Sequence, residues 1–350
     1  MGTNRGRRAP FPSECRPGAP RYHAAVHVSR PSFARPRAAS SVLVLGAGFI
    51  GGHVVRRLLD NGHGVRVLSR SRPHGRAEEL TAGAEVIIGD AGVTKTVAEA
   101  VVGMDHVVFA LGSLVPPEAE QEPHLDLSLT LQPLLELLGV LENGPRLPLS
   151  YLSSGGTVYG NALSFPIPET APTVPLCVYG ITRLAAERFV LRYGTMNDVR
   201  VRLLRIGNAY GTGQTTARGQ GIVGTALERC RTGEPLVLYG NGQISRDFVH
   251  AEDIGLAIAE LVVAGGPSIV NIGSGVASTV NEVVALARQV SGKPLPILPK
   301  DARDFDLPRV QLDISLLQSL VDFRPRSLRE GIQQMWHDIT IAPAPGARAN

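Results

Sequence analysis

Three glycines in one thirty-residue segment constrain this chain most. Ser41–Arg70, SVLVLGAGFIGGHVVRRLLDNGHGVRVLSR, reads as strand, glycine turn, helix, strand. Val42–Leu45 is an apolar run short enough for a buried strand. Ile50, Val54, Val55, Leu58 and Leu59 then recur at helical spacing, DNGHG closes the helix, and Val65–Leu68 is the next strand. Gly46, Gly48 and Gly51 form Gly-x-Gly-x-x-Gly. Such a triplet alone is a weak signal, but inside this unit it predicts a dinucleotide site. Gly46 permits the tight turn. Gly48 lets backbone N–H groups approach a pyrophosphate, and Gly51 lets helix and strand pack closely. Phe49 and Ile50 open the helix, whose N-terminus favours anionic phosphates.

The end of the second strand bears on which dinucleotide. NAD sites usually place Asp or Glu there for the ribose hydroxyls, whereas this chain has Ser69, Arg70, Ser71 and Arg72. Arg70 suits a 2′-phosphate, so NADP stands open beside NAD. The competing reading makes Arg70 and Arg72 solvated surface charges. Further strands follow. AEVIIGD (84–90) ends in Asp90, before Ala91, where an adenine would lie. DHVVFALGS (105–113) brings Ala110 and Leu111 to the coenzyme, and LSYLSSGGTVYG (149–160) comes next. Helical stretches fall near 94–102 and 124–142, with Pro133 inside the second as a candidate kink.

Strands alternating with helices predict an α/β chain: a Rossmann-type, doubly wound parallel sheet with ligand at the carboxyl ends of its strands. After residue 205 short strands and helices mix, as in a smaller α+β lobe. The expected organisation is therefore a basic disordered tail over 1–40, a dinucleotide-binding domain over 41–205, a mostly substrate-binding lobe over 206–340 and a tail over 341–350. Some late strands should return to the main sheet. STVNEVVALARQVSG (278–292) reads as a helix opened by Ser278 or Thr279 and ended by Gly292.

The formal net charge of +4 is unevenly distributed. Residues 1–40 hold eight arginines and one acid, so the remainder of the chain sums to −3. That argues against nucleic acid or an anionic membrane as partner. The Arg- and Ser-rich first segment also fits a transit peptide. No apolar run is long enough for a membrane span. Cys15, Cys177 and Cys230 lie far apart, so no metal site is expected and a reducing, cytoplasmic setting fits.

Chemistry concentrates in CVYGITRLAAE (177–187), where Tyr179 and Arg183 stand four residues apart on one helix face. A free phenol titrates near pH 10, so a tyrosine acting as base near neutrality needs roughly 4 kcal/mol of selective phenolate stabilisation. A neighbouring cation supplies part of it. The chain has three lysines against 32 arginines, so an arginine in that place matches its general usage.

GAGFIGGH, SSGGTVYG, VYGITRLAAE, RIGNAYGTGQ, GNGQISRDFVHAEDI and NIGSGVASTVNEV occur in this order. Over about residues 41–340 the chain thereby resembles the extended short-chain dehydrogenase/reductase family, in its nucleotide-sugar epimerase/dehydratase branch. UDP-glucose 4-epimerase-like proteins are the most similar subgroup. The resemblance implies hydride transfer between a sugar carbon and bound nicotinamide, with Tyr179 as the proton acceptor. It assigns Arg183 to the place of a lysine that also bonds the nicotinamide ribose. The family's strand-exit Ser or Thr falls on Gly155, leaving Thr157 and Ser154 as the candidate hydroxyls. Leu45 stands where many relatives have another glycine.

The same resemblance implies a nucleotide-sugar lobe. Asn208 would bond substrate near its sugar or diphosphate, and Val237–Tyr239 would be an edge strand beside a pyrimidine. Arg246 would bind the diphosphate, and Arg303 with Asp306 would contact diphosphate and ribose. Arginine suits phosphate because its fork forms bidentate bonds. TTARGQG (215–221) would cover the substrate. The leading reading is a UDP-hexose 4-epimerase, acting as a homodimer joined through the Tyr179 helix and the 124–142 helix. A reductase of the same family and a non-catalytic homologue with an unproductive Arg183 are the alternatives. A dehydratase is disfavoured, because Gly155, Gly156 and Thr157 stand where its Asp-Glu pair belongs.

Overall fold

The computed structural model describes residues 39–112, 114–214, 221–303 and 306–341. Residues 1–38 of the basic tail, segment 215–220 of the expected substrate loop, and residues 342–350 lie outside the described residues. The first part runs β1 (Ser41–Leu45), α1 (Phe49–Asp60), β2 (Gly64–Ser69), α2 (Arg76–Thr81), β3 (Glu85–Ile88), α3 (Thr94–Ala100), β4 (His106–Phe109), α4 (Pro116–Gln121), α5 (Pro123–Glu142), β5 (Leu149–Ser154), α6 (Val178–Asn197) and β6 (Val201–Ile206). The second runs β7 (Asn208–Tyr210), α7 (Ile222–Thr232), β8 (Leu236–Tyr239), β9 (Ser245–His250), α8 (Ala251–Val263), β10 (Ile269–Ile272), β11 (Ala277–Thr279), α9 (Val280–Ser291), β12 (Ile297–Lys300), α10 (Ser315–Leu320) and α11 (Leu328–Ile341).

Seven strands form one parallel sheet in the order β10-β6-β5-β4-β1-β2-β3. The strand order reverses direction between β1 and β4, which opens a crevice at their carboxyl ends. Both faces of β1 are buried. Val42 and Val44 join a core packed under α1, α8 and α10, while Leu43 and Leu45 join the opposite core under α3, α5 and α6. This period-two split is what a strand covered on both sides requires. Leu45, the departure from family glycine, is thus a fully buried core residue.

β10 comes from the second half yet pairs with β6, so the chain returns to the main sheet after leaving it. The other late strands form a three-stranded sheet, β11-β9-β7, and a parallel pair, β12-β8. Tyr210, Leu227, Phe248, Val283 and Ile332 build a separate apolar cluster there with α7, α9 and α11. α9 begins as its sequence predicts: the Thr279 hydroxyl accepts from the Glu282 N–H at 3.1 Å, the Glu282 carboxylate accepts from the Thr279 N–H at 2.7 Å, and Gly292 closes the helix in the left-handed region. α5 runs without interruption through Pro133, and α3 ends at Ala100, two residues earlier than its apolar pattern suggests.

Candidate active site

The glycine turn sits at the crevice mouth, and its three glycines exist for different reasons. Gly46 has φ +95°, and a Cβ there would meet Leu111 Cδ2 at 2.9 Å and the Ala110 carbonyl oxygen at 3.2 Å. A Cβ on Gly51 would lie 2.0 Å from the Gly46 carbonyl oxygen, so α1 can approach β1 only without a side chain there. Gly48 is different: φ is −72°, and nothing lies within 4 Å of a Cβ built on it. The protein itself would accept a larger residue at 48. The space is useful to a ligand that needs close backbone approach. Gly48 also caps α1 with no side-chain hydrogen bond and no acid in the first turn, leaving the helix N–H groups free for an anion. These residues fit the pyrophosphate of a dinucleotide.

Around this turn, Phe49 and Ile50 are half-buried and Arg70 is exposed immediately after β2. Asp90 is exposed, and one of its carboxylate oxygens accepts the Gly92 N–H at 2.8 Å. Ala91 is buried, and Ala110 donates its N–H to the Leu45 carbonyl.

Tyr179 and Arg183 stand in the first turns of α6. Cys177 caps this helix, its sulfur accepting the Gly180 N–H at 3.4 Å. Tyr179 is half-buried, whereas Arg183 is 3% exposed. The broad guanidinium is not displaced outward. Its Cζ lies 4.7 Å from the Tyr179 ring centroid, and Nη1 donates long bonds of 3.4 Å to the Leu111 carbonyl and the Tyr151 hydroxyl. A Cβ on Gly112 would come within 2.6 Å of Nη2, so the absence of a side chain at 112 makes the room. Burial disfavours the charge on Arg183, but the Tyr179 and Tyr151 phenols and the Asp126 carboxylate outweigh it and raise its proton affinity. Burial raises the Tyr151 phenol, with Arg183 pulling the other way.

Thr157 packs against the start of α6 at Gly180. Its Cβ lies 3.2 Å from a Cβ built on Gly180, next to Tyr179, and its buried hydroxyl has no hydrogen-bond partner. Gly155 has no room for the family's hydroxyl: a Cβ there would meet Leu312 Cδ1 at 2.8 Å and the Arg205 carbonyl oxygen at 3.0 Å. Ser154 ends β5 near Gly156, and a Cβ on Gly156 would lie 3.4 Å from Asn208 Oδ1 and 3.8 Å from Ser154 Oγ. Asn208 and Ser154 therefore both border Gly156.

The expected nucleotide residues form a second cluster. Arg303 bonds Asp306 through Nε at 2.9 Å and stacks its Cζ 4.5 Å from the Tyr239 ring centroid. Arg246 donates to the carbonyls of Ser245 and Leu307, and its Nη2 lies 3.5 Å from Asp306. Burial lowers the proton affinity of Arg246, with Asp306 opposing the change. Val237 is half-buried in β8, opposite Leu298 of β12.

Several supporting residues escaped the sequence reading. Glu187, one helical turn beyond Arg183, takes a two-pronged ion pair from Arg205 of β6 at 3.0 and 2.7 Å and a 2.6 Å bond from Ser153. Asp247, fully buried, accepts the N–H groups of Ser274, Gly275 and Leu312 and ties three segments behind the site. An arginine inside the apolar run VRLLRI was the available signal for the first. Nothing local distinguishes the second. Among the described residues no cluster of His, Cys, Asp and Glu is suited to a metal, and no helix is long and apolar enough to cross a membrane.

Residues 42–273 match the model of the NAD dependent epimerase/dehydratase family. A UDP-glucose 4-epimerase of Azospirillum brasilense is 30% identical over 345 residues, covering 89% of this chain and 98% of that protein. The crystal structure of a UDP-glucose 4-epimerase from Thermotoga maritima with UDP-glucose superposes with a TM-score of 0.81 at 27% identity, covering 86% of this chain and 98% of the other. The Thermus thermophilus UDP-glucose 4-epimerase complex with NAD gives a TM-score of 0.80 at 29% identity, covering 87% and 100%.

Proposed function

The chain belongs to the NAD dependent epimerase/dehydratase family, and on that premise we propose that it is a nucleotide-sugar 4-epimerase acting on a UDP-hexose with NAD. The observation that carries the reading is one convergence: the buried Arg183 cation lies 4.7 Å from the Tyr179 ring centroid, and Gly180, the next residue, packs against Thr157, whose buried hydroxyl has no hydrogen-bond partner. NAD held over Gly46, Gly48 and Gly51 would supply a reversible hydride acceptor for the sugar carbon.

In this reading Tyr179 takes the proton of the sugar hydroxyl and gives it back. Arg183 lowers the cost of the phenolate and donates to the nicotinamide ribose. Thr157 donates to the reacting oxygen, and Ser154 supports that corner. Gly46, Gly48, Gly51 and the start of α1 at Phe49 and Ile50 hold the pyrophosphate. Asp90 and Ala91 border the adenine, Arg70 its ribose, and Ala110 and Leu111 the nicotinamide end. Asn208 orients the sugar diphosphate. Arg246, Arg303, Asp306, Tyr239 and Val237 hold the nucleotide, in the lobe assigned to 206–340. Leu127, Leu135, Ile181 and Phe189 are exposed on α5 and α6, which pack together. A second copy of the chain would cover them, giving a homodimer. A cytoplasmic location belongs to the same proposal, supported by buried, unbridged Cys177 and Cys230.

The test incubates wild type and Arg183→Lys separately with UDP-glucose, UDP-galactose and their N-acetyl forms. Interconversion of at least one pair by wild type is expected. Binding of UDP without interconversion by either protein would sink the epimerase reading. Gain only in Arg183→Lys would make the natural chain a binding homologue.

A further inference from the structure

Asp126 lies in α5 with no solvent exposure, and neither of its carboxylate oxygens has a hydrogen-bond partner. Thr130, one turn along the same helix face, is equally buried and its hydroxyl is also unpartnered. On the neighbouring α6, which packs along α5, the Nε of Arg183 is another buried atom without a partner. A carboxylate buried in this way is among the costliest groups a core can hold unless an opposite charge stands near.

The other charged and titratable groups near this corner are already engaged. Glu187 on α6 is paired with Arg205 of β6. Glu120 on α4 accepts the Val178 N–H at 2.6 Å. Tyr151 of β5 bonds Arg183, and the Cys177 thiol caps α6. Asp126 has no such bond, and its charge bears on both Arg183 and Cys177. Arginine keeps its charge at any pH the fold survives. Its pull on Tyr179 therefore cannot be adjusted by its own titration, only by a second charge nearby.

We propose that Asp126 is the counter-charge of Arg183, a positioning residue that holds the guanidinium in the core and tempers how strongly it favours the Tyr179 phenolate. This rests on the epimerase reading for its catalytic consequence, but not for the pairing itself. Asp126→Asn keeps the shape and removes the charge. Its loss strengthens the net positive field at Tyr179, so the acid limb of UDP-hexose interconversion moves down by about one pH unit. A limb that stays in place, or moves up, overturns the tuning.

A thermal double-mutant cycle on the same purified proteins reads the pairing without any turnover. Arg183→Gln strands the carboxylate and lowers the melting temperature. Adding Asp126→Asn recovers about half of that loss or more, because the stranded charge is gone. Simple addition of the two single losses overturns the pairing. Coupled melting temperatures with no interconversion in any variant would leave the pairing standing and remove the epimerase reading. Interconversion with additive melting temperatures would do the reverse.

Discussion

The glycine turn and the Tyr179 corner lie at the same end of one parallel sheet, yet they are specified in opposite ways. The turn is backbone: what matters at 46, 48 and 51 is the absence of a side chain, and the spacing that signals it spans six residues. The corner is side chains, delivered by α5, α6, β5 and the segment after β4. A glycine motif can therefore be recognised from spacing, whereas a tyrosine–arginine pair can be judged only once its neighbours are known.

The sharpest break of this comparison is Gly51→Val. The Gly46 carbonyl stands 2.0 Å from the new Cβ, so the variant should lose more than about 4 kcal/mol and fail to accumulate as folded protein. A folded variant with wild-type denaturant midpoint would show that the turn can relax. Tyr179→Phe comes next: turnover should drop roughly 10³-fold while NAD and UDP titrations stay unchanged. A comparable loss of binding would make Tyr179 a structural residue.

A third measurement concerns the scaffold beneath both regions. Burial, aided by the Arg200 and Arg202 charges, holds the His106 imidazole down to about 3. A folded-state value below the unfolded one means the unfolded chain takes the proton first as pH falls. The contribution of His106 is full above pH ~6.5 and is lost on acidification, by roughly 2 kcal/mol at pH 5. Urea midpoints at pH 7 and pH 5 should differ accordingly, and His106→Gln should flatten the difference. An unchanged slope in that variant would assign the acid sensitivity elsewhere.

The smallest effects separate function from packing. Thr157→Val should leave melting unchanged, since the hydroxyl bonds nothing in the protein, while turnover falls about tenfold or more. Gly48→Ala should likewise melt as wild type and weaken NAD about tenfold, measured by calorimetry. If Gly48→Ala instead lowers stability and spares NAD, the distinction drawn among the three glycines is wrong.

Much of the fold was legible because its signals are local. The buried strands, the α1 turn, the Thr279–Glu282 capping box and the Gly292 stop all follow from residues within a few positions of one another. That Tyr179 and Arg183 share the start of one helix was also legible, through their spacing. What they would meet was not. Leu312 excludes a side chain at 155, and Gly112 makes room for a guanidinium at 183. Both contacts join segments far apart in sequence.

By itself, then, the sequence determined the parallel sheet, the glycine turn and the placing of Tyr179 and Arg183 on one helix, because periodicity and glycine spacing act over one or two turns of chain. Only the tertiary structure decided that Arg183 stays inside, that Thr157 keeps an open hydroxyl, and that Asp126 stands without a hydrogen-bond partner. Burial and electrostatic pairing depend on what packs from across the sheet, and no local pattern encodes which residue that will be.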